Sequence, residues 1–326
     1  MRAPWLLHSC LVLGLIVPTF GYSWGVEGHR AVAELAARYL NPKTLQKINE
    51  LLAVNGARDL PSIATWADEL RLVDREEGPL KRNTEAIAFN HDFPSNGSWH
   101  YVDLPLGSES YESVQKFGSH DDVIHAISRC ISVLESREPL PNEMTRIQAL
   151  RLLIHFVGDI HQPLHCGCGF YDLTDSQAPR LISDPVAAYG KPDDRGGNDL
   201  YYDSENNQEL HAFWDVVVVT AIADSSDYRM LTKYLENHHK ASEVPGTDGP
   251  YKNWAEKWAI DSVKCAVEAY AGIKFAHLES APDQRPMRIA ISLPAGYAET
   301  SKRIAAHQLF AASVHLAQLL DSLQWP

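Results

Sequence analysis

The sequence predicts an all-α protein, mainly helical, in which long loops carry candidate functional residues. Three observations predict it. Apolar residues recur at helical spacing through most of the chain. The stretches between those segments are polar and rich in Gly, Pro and Asn. Candidate ligands come in pairs four residues apart, as one face of a helix presents them.

Residues 1–23 read as a secretory leader: Arg2, an apolar core from Leu11 to Val17, then Gly21 and Ser23 at the two positions a signal peptidase inspects. Cleavage after Ser23 would make Trp24 the new N-terminus and leave 24–326 as a single domain, secreted or lumenal. The first mature helix is expected over 26–40, with Val26, Ala33, Leu35, Ala36, Ala37 and Leu40 at helical spacing. Asn41-Pro42 opens a second over 43–54, and Asn55-Gly56 ends it. Asp59-Leu60-Pro61-Ser62 opens a third, in which Asp68 and Arg71 share a face. Residues 74–99 read as a long loop that delivers Trp99-His100-Tyr101-Val102-Asp103-Leu104-Pro105. Helices are expected again at 120–136 and 143–161. The stretch 169–194 has no periodicity and leads into Asp194-Arg195-Gly196-Gly197-Asn198-Asp199. Further helices follow from Glu209 and over 227–238, 251–274 and 299–323. The last holds Gln308, His315, Gln318 and Asp321, so it is a core helix and no membrane anchor.

Beyond the leader, the cysteines are Cys130, Cys166, Cys168 and Cys265. In a secreted chain two disulfides are the default. A bond between Cys166 and Cys168 would be strained, so each is expected to reach Cys130 or Cys265. Asn96-Gly97-Ser98 is a glycosylation sequon. The net charge of −13 argues against a broad basic surface for nucleic acid, so a polyanion would have to be attracted locally.

The most informative stretch is His155-Phe-Val-Gly-Asp159-Ile-His-Gln-Pro163-Leu-His165. If the helix continues through Gly158, His155 and Asp159 stand one above the other. Pro163 then turns the chain so that His165 can swing back toward them. His211 and Asp215 repeat the spacing of four. With His29, Asp68 and His100 they make five imidazoles and three carboxylates, the mixed nitrogen and oxygen set that catalytic zinc prefers.

The order of these motifs, WGVEGH, TWADELR, WHYVDLP, HFVGDIHQPLH, DRGGND and LHAFWD, resembles the zinc-dependent class I nucleases and 3'-nucleotidases of fungi, plants and trypanosomatids, a branch of the zinc phospholipase C superfamily. The resemblance covers nearly the whole chain beyond residue 23. It implies the helical fold of that superfamily and three zinc ions in one cleft. One ion would be held by Asp68, His100, His155 and Asp159. A second would be held by the free amine and carbonyl of Trp24 with His29, Asp159 bridging the two. The third would be held by His165, His211 and Asp215. The implied activity is hydrolysis of single-stranded DNA or RNA, and of 3'-nucleotides, to 5'-phosphate products by a hydroxide bridging two zincs, with catalytic roles for Asp68, Asp159 and Arg71. By the same resemblance Tyr101 would stack a base, Asp103 would bond its edge and Asn198 would lie near the phosphate. Nucleic acid and nucleotides are then the partners of a monomeric enzyme. The stretch 169–194 and the Cys166-Gly-Cys168 sequence depart from the family pattern.

Two other readings compete. A zinc phospholipase C shares the metal arrangement, but that branch usually ends its ligand set in Glu where this chain has Asp215, and a lipid head group does not need Tyr101 with Asp103. A non-catalytic secreted zinc binder is disfavoured because structural zinc sites are usually closed and Cys-rich, and this set has no Cys ligand.

Overall fold

The computed structural model describes residues 24–279 and 287–326. The expected leader, 1–23, lies outside the described residues. Helices dominate, as the periodicity predicts, and most begin at a cap that is visible in the sequence. Helix α1 (Gly25–Tyr39) starts one residue after Trp24. Helix α2 (Pro42–Val54) starts at Asn41, whose side chain accepts from Thr44 N–H, with Pro42 supplying a fixed φ at the first position. A capping box between Asp59 and Ser62 organises the turn before α3 (Trp66–Val73).

Helix α4 (Thr84–Asp92) corrects the reading of 74–99 as a loop. Asn83 caps it, but only Ala86, Phe89 and Asn90 are buried along it, too few to print a periodicity. After the single turn α5 (Tyr111–Val114) come α6 (Val123–Glu135) and α7 (Arg146–Asp159), which pack on each other. A Thr145/Gln148 capping box starts α7. The short α8 (Pro163–Cys166) follows. Then α9 (Leu210–Ala212) runs into a π-helical segment, Phe213–Val218, and on into α10 (Val219–Ala223). Helices α11 (Tyr228–His238), α12 (Trp254–Tyr270) and α13 (Tyr297–Ser322) complete the set. Helix α13 is buried along most of its length and packs on α1 and α7.

Strands are short. β1 (Leu104–Pro105) pairs in parallel with β2 (Gly167–Cys168), and β3 (Tyr171–Asp172) pairs with β4 (Arg180–Leu181) inside the stretch that showed no periodicity. β5 (Leu200–Asp203), β6 (Gln208–Glu209), β7 (Lys274–Leu278) and β8 (Ile289–Ser292) form a four-stranded sheet in the order β6-β5-β8-β7. The sequence reading missed this sheet and ran the helix of 251–274 into it. Helix α12 ends at Tyr270, and Gly272, at φ +77°, makes the turn into β7. None of the described helices is long and apolar enough to cross a membrane.

One expectation about modification is overturned. All four cysteines are free thiols, not two disulfides. Cys166 donates to the Ile160 carbonyl, and Cys168 donates to Asp194 Oδ1 while accepting from Gly196 N–H. Each thiol is occupied by its own neighbours. Burial pushes both well above the ordinary thiol range, which removes the thiolate that disulfide exchange needs. Asn96 of the sequon is buried, and its Nδ2 donates to Asn90 Oδ1 and the Phe93 carbonyl.

Candidate metal centre

Helix α7 does continue through Gly158, and His155 Nε2 stands 3.3 Å from Asp159 Oδ2. Gly158 is needed for a further reason: a Cβ there would sit 2.7 Å from His29 Nδ1. The missing side chain lets α1 bring His29 against α7, where its ring stacks on His155 with centroids 3.7 Å apart. From the other side α3 delivers Asp68, whose Oδ1 lies 3.6 Å from His155 Nε2 and 3.8 Å from His100 Nδ1. Arg71 Nη1 is 4.0 Å from the same carboxylate oxygen.

Asp159 is the hub. Its Oδ1 faces His29 Nε2 at 3.3 Å, and its Oδ2 faces His100 Nδ1 at 2.9 Å as well as His155 Nε2. The two oxygens thus address two different sets of imidazoles. Pro163 makes the expected turn, and His165 comes back beside His211, the rings stacked with centroids 5.0 Å apart. His211 Nε2 lies 3.2 Å from Asp215 Oδ2. All eight side chains singled out as ligands therefore fall into three groups, the first two sharing His155: His29, Asp68 and His155; His100, His155 and Asp159; His165, His211 and Asp215. Within each group the ligand atoms lie within 4.8 Å of one another. Trp24 stands next to them, its ring fully buried and its Nε1–H donating to the Gly158 carbonyl at 2.9 Å. Its own carbonyl accepts from Gly28 N–H.

The chemistry of these donors fits a metal ion. His29 Nε2, both oxygens of Asp68, His155 Nε2, Asp159 Oδ1, His165 Nε2 and Asp215 Oδ2 are buried and lack a hydrogen-bond donor or acceptor. Carboxylates in that situation carry a large desolvation penalty unless a cation joins them. The imidazoles are also oriented for it. Nδ1 of His155, His165 and His211 bonds the carbonyls of Ala64, His100 and Gly196, at 2.8, 2.7 and 2.8 Å. Those carbonyls can only accept, so each ring keeps a proton on Nδ1 and turns Nε2 inward, where either a proton or a cation can sit.

Protonation follows the same geometry. Burial drives His155 down, but the charges of Asp159 and Asp68 outweigh it and raise the group to about 10. Burial opposes the same rise at His211, which Asp215 carries to about 9. His100 is pulled down to about 4 by burial, which its contact with Asp159 only partly offsets. Asp159 is held well below the carboxylate range: burial opposes this, but the His155 charge and bonds from the facing imidazoles prevail.

Above these groups opens a cleft of about 420 Å³ lined by Arg71, His100, Tyr101, Asp103, His165, Asp193, Arg195, Asn198 and His211, among others. Tyr101 is 40% exposed at its wall. Burial and the charges of Asp193 and Asp194 raise Asp103 to about 7. Asn198 lines the cleft, and its Nδ2 donates to the Arg195 carbonyl, closing the turn.

Several contributors were not singled out from sequence. Gln162 donates to Asp215 Oδ1 while its own oxygen accepts from Leu164 N–H, so it fixes the carboxylate and the start of α8 together. Asp194 is fully buried and accepts from Tyr171, Tyr270, Cys168 and the amides of Gly169 and Gly197, which anchors the DRGGND turn from inside. Gln162 falls within the ligand motif, which was its only visible signal. Asp194 had none beyond its place before the glycines.

Comparison with known proteins agrees with this geometry. Residues 24–324 match the S1/P1 Nuclease family. The chain is 26% identical to Endonuclease 3 of Arabidopsis thaliana over 68% of its length and 62% of the relative's. It is 27% identical to Nuclease S1 of Aspergillus oryzae (64% and 58%) and 31% identical to Nuclease P1 of Penicillium citrinum (44% and 47%). These alignments thus span roughly half of each relative. With the family match extending across nearly all the described residues, the chain belongs to the S1/P1 nuclease family.

Proposed function

We propose that this protein is a secreted, zinc-dependent nuclease. It hydrolyses single-stranded DNA or RNA, and 3'-nucleotides, to leave 5'-phosphates, acting as a monomeric single domain, 24–326, after loss of residues 1–23. The observation that carries the reading is the hub. The two oxygens of Asp159 face separate imidazole sets inside a cluster of buried donors that lack partners, beside an open cleft.

Asp68, His100, His155 and Asp159 would hold one ion, and His29 with the amine and carbonyl of Trp24 would hold a second that shares Asp159. His165, His211 and Asp215 would hold a third. Zinc bound there supplies Lewis acidity and lowers the pKa of a water to about 7. The chain's own residues do the rest. Arg71 can donate to a non-bridging phosphate oxygen from beside Asp68. Tyr101 offers a face on which an unpaired base stacks, which a duplex cannot satisfy. Ionised Asp103 accepts from the base edge, and Asn198 keeps the turn near the phosphate in shape. Overall, the bond from phosphorus to the 3'-oxygen breaks, water adds to phosphorus and the 3'-oxygen leaves with a proton.

The test is metal analysis of the mature protein together with cleavage of single-stranded DNA, with and without chelator. About three zinc ions per chain, cleavage, and loss of cleavage with chelator are expected. DNA left intact in both tubes refutes the proposal.

A further inference from the structure

The cleft has two guanidinium groups in its wall, and only Arg71 has a role so far. Arg195 stands at the other end of the centre, next to Gly196, whose carbonyl orients His211. The structure spends a good deal on holding it there. Arg195 sits at φ +53°, a left-handed conformation that costs a non-glycine residue about 1–2 kcal/mol. The two residues after it are also left-handed, and a Cβ on Gly196 would meet the Leu164 carbonyl at 2.1 Å. The two positions after Arg195 therefore favour glycine, with Asp194 bonding the Gly197 amide from below.

The side chain is equally constrained. Its Nε and Nη2 donate to the two oxygens of Asp199 at 3.1 and 2.7 Å, and Asp199 is fully buried while the Arg195 side chain is 46% exposed. One edge of the guanidinium is thus fixed and the other is presented to the cleft, still charged. A loop that needed only a clamp would not require its cation to line the cavity. In a chain of net charge −13, a fixed exposed cation at that point is the means of attracting a polyanion locally.

We propose that Arg195 is a second phosphate-binding residue of the cleft, contacting a phosphate of the polynucleotide other than the one beside Arg71. The inference rests on the nuclease reading above. It implies that chain substrates gain from Arg195 more than mononucleotides do, because only a chain presents two phosphates across the centre.

The experiment compares wild type, Arg195→Gln and Arg195→Lys, each loaded with zinc and checked for equal zinc content. Binding of a phosphorothioate single-stranded oligonucleotide is followed by fluorescence anisotropy over a range of salt. Loss of one charge-assisted contact should weaken binding by Arg195→Gln about tenfold and lower its logarithmic salt slope by about 0.7. Arg195→Lys should restore the slope, and the Arg195→Gln loss in kcat/KM should be larger for an oligonucleotide than for a 3'-mononucleotide. Unchanged affinity and slope in Arg195→Gln, with wild type still cleaving DNA, would overturn the proposal and leave the nuclease reading standing. Wild type that neither binds nor cleaves the oligonucleotide would sink both. Should Arg195→Gln lose zinc or fold poorly because the buried Asp199 loses the guanidinium, the double variant Arg195→Gln/Asp199→Asn decides: a lowered slope at full zinc content supports the phosphate contact, and an unchanged slope refutes it.

Discussion

At the scale of single residues, the centre is a competition between protons and cations for the same lone pairs. In the metal-free protein His155 sits at about 10 and His211 at about 9, both above the ordinary 6.5. A histidine raised on folding adds stability that is complete below its unfolded value and is lost as pH climbs through its folded one. His100, lowered by burial to about 4, acts in the opposite sense and removes stability as pH falls below 6.5. The metal-free protein should therefore melt at progressively lower temperature as pH rises from about 7 toward 9–10. Thermal melts in chelator across that range check this, and a melting temperature that climbs with pH would contradict it. Most ligands were legible in the sequence, because pairs such as His155/Asp159 and His211/Asp215 follow from helix geometry. Arg195 and Gln162 were not, because their placement depends on a left-handed turn and on a side chain bridging two elements.

At the scale of elements, α7 carries the hub and its start is well defined. The Thr145 side chain accepts from Gln148 N–H, and the Gln148 side chain accepts from Thr145 N–H. Thr145→Ala should cost about 1 kcal/mol, lowering the melting temperature of a domain this size by about 1–2 °C. Zinc content should not change, because the cap lies about four turns from Asp159. Calorimetry beside metal analysis separates the two effects. Helices of this kind were readable from their caps and from apolar spacing. Helix α4 was not, since it buries one narrow stripe beneath Asn83. Nor was the β6-β5-β8-β7 sheet, whose longest strand has five residues and whose central pair, β5 with β8, joins Leu200 to Ile289. Pairing over such distances is a tertiary event that short strands do not announce.

At the scale of the whole molecule, the three groups draw ligands from α1, α3, α7, α8 and α9 and from the loop at His100, so bound metal ties most of the core together. Removing it leaves buried carboxylates without a counter-charge. Chelation should lower the melting temperature at neutral pH by on the order of 10 °C or more. Differential scanning calorimetry with and without chelator tests this, and superimposable curves would show that the groups do not hold metal.

The strap between His100 and His165 has a mechanical consequence. His165 Nδ1–H donates to the His100 carbonyl, Val102 N–H donates back to the His165 carbonyl, and β1 lies along β2 just beyond. Two segments more than sixty residues apart in sequence are laced into one stiff plank, and each end of it reaches a different group. Tightening around His100 would then be passed to His165 through the His100 carbonyl and the imidazole that bonds it.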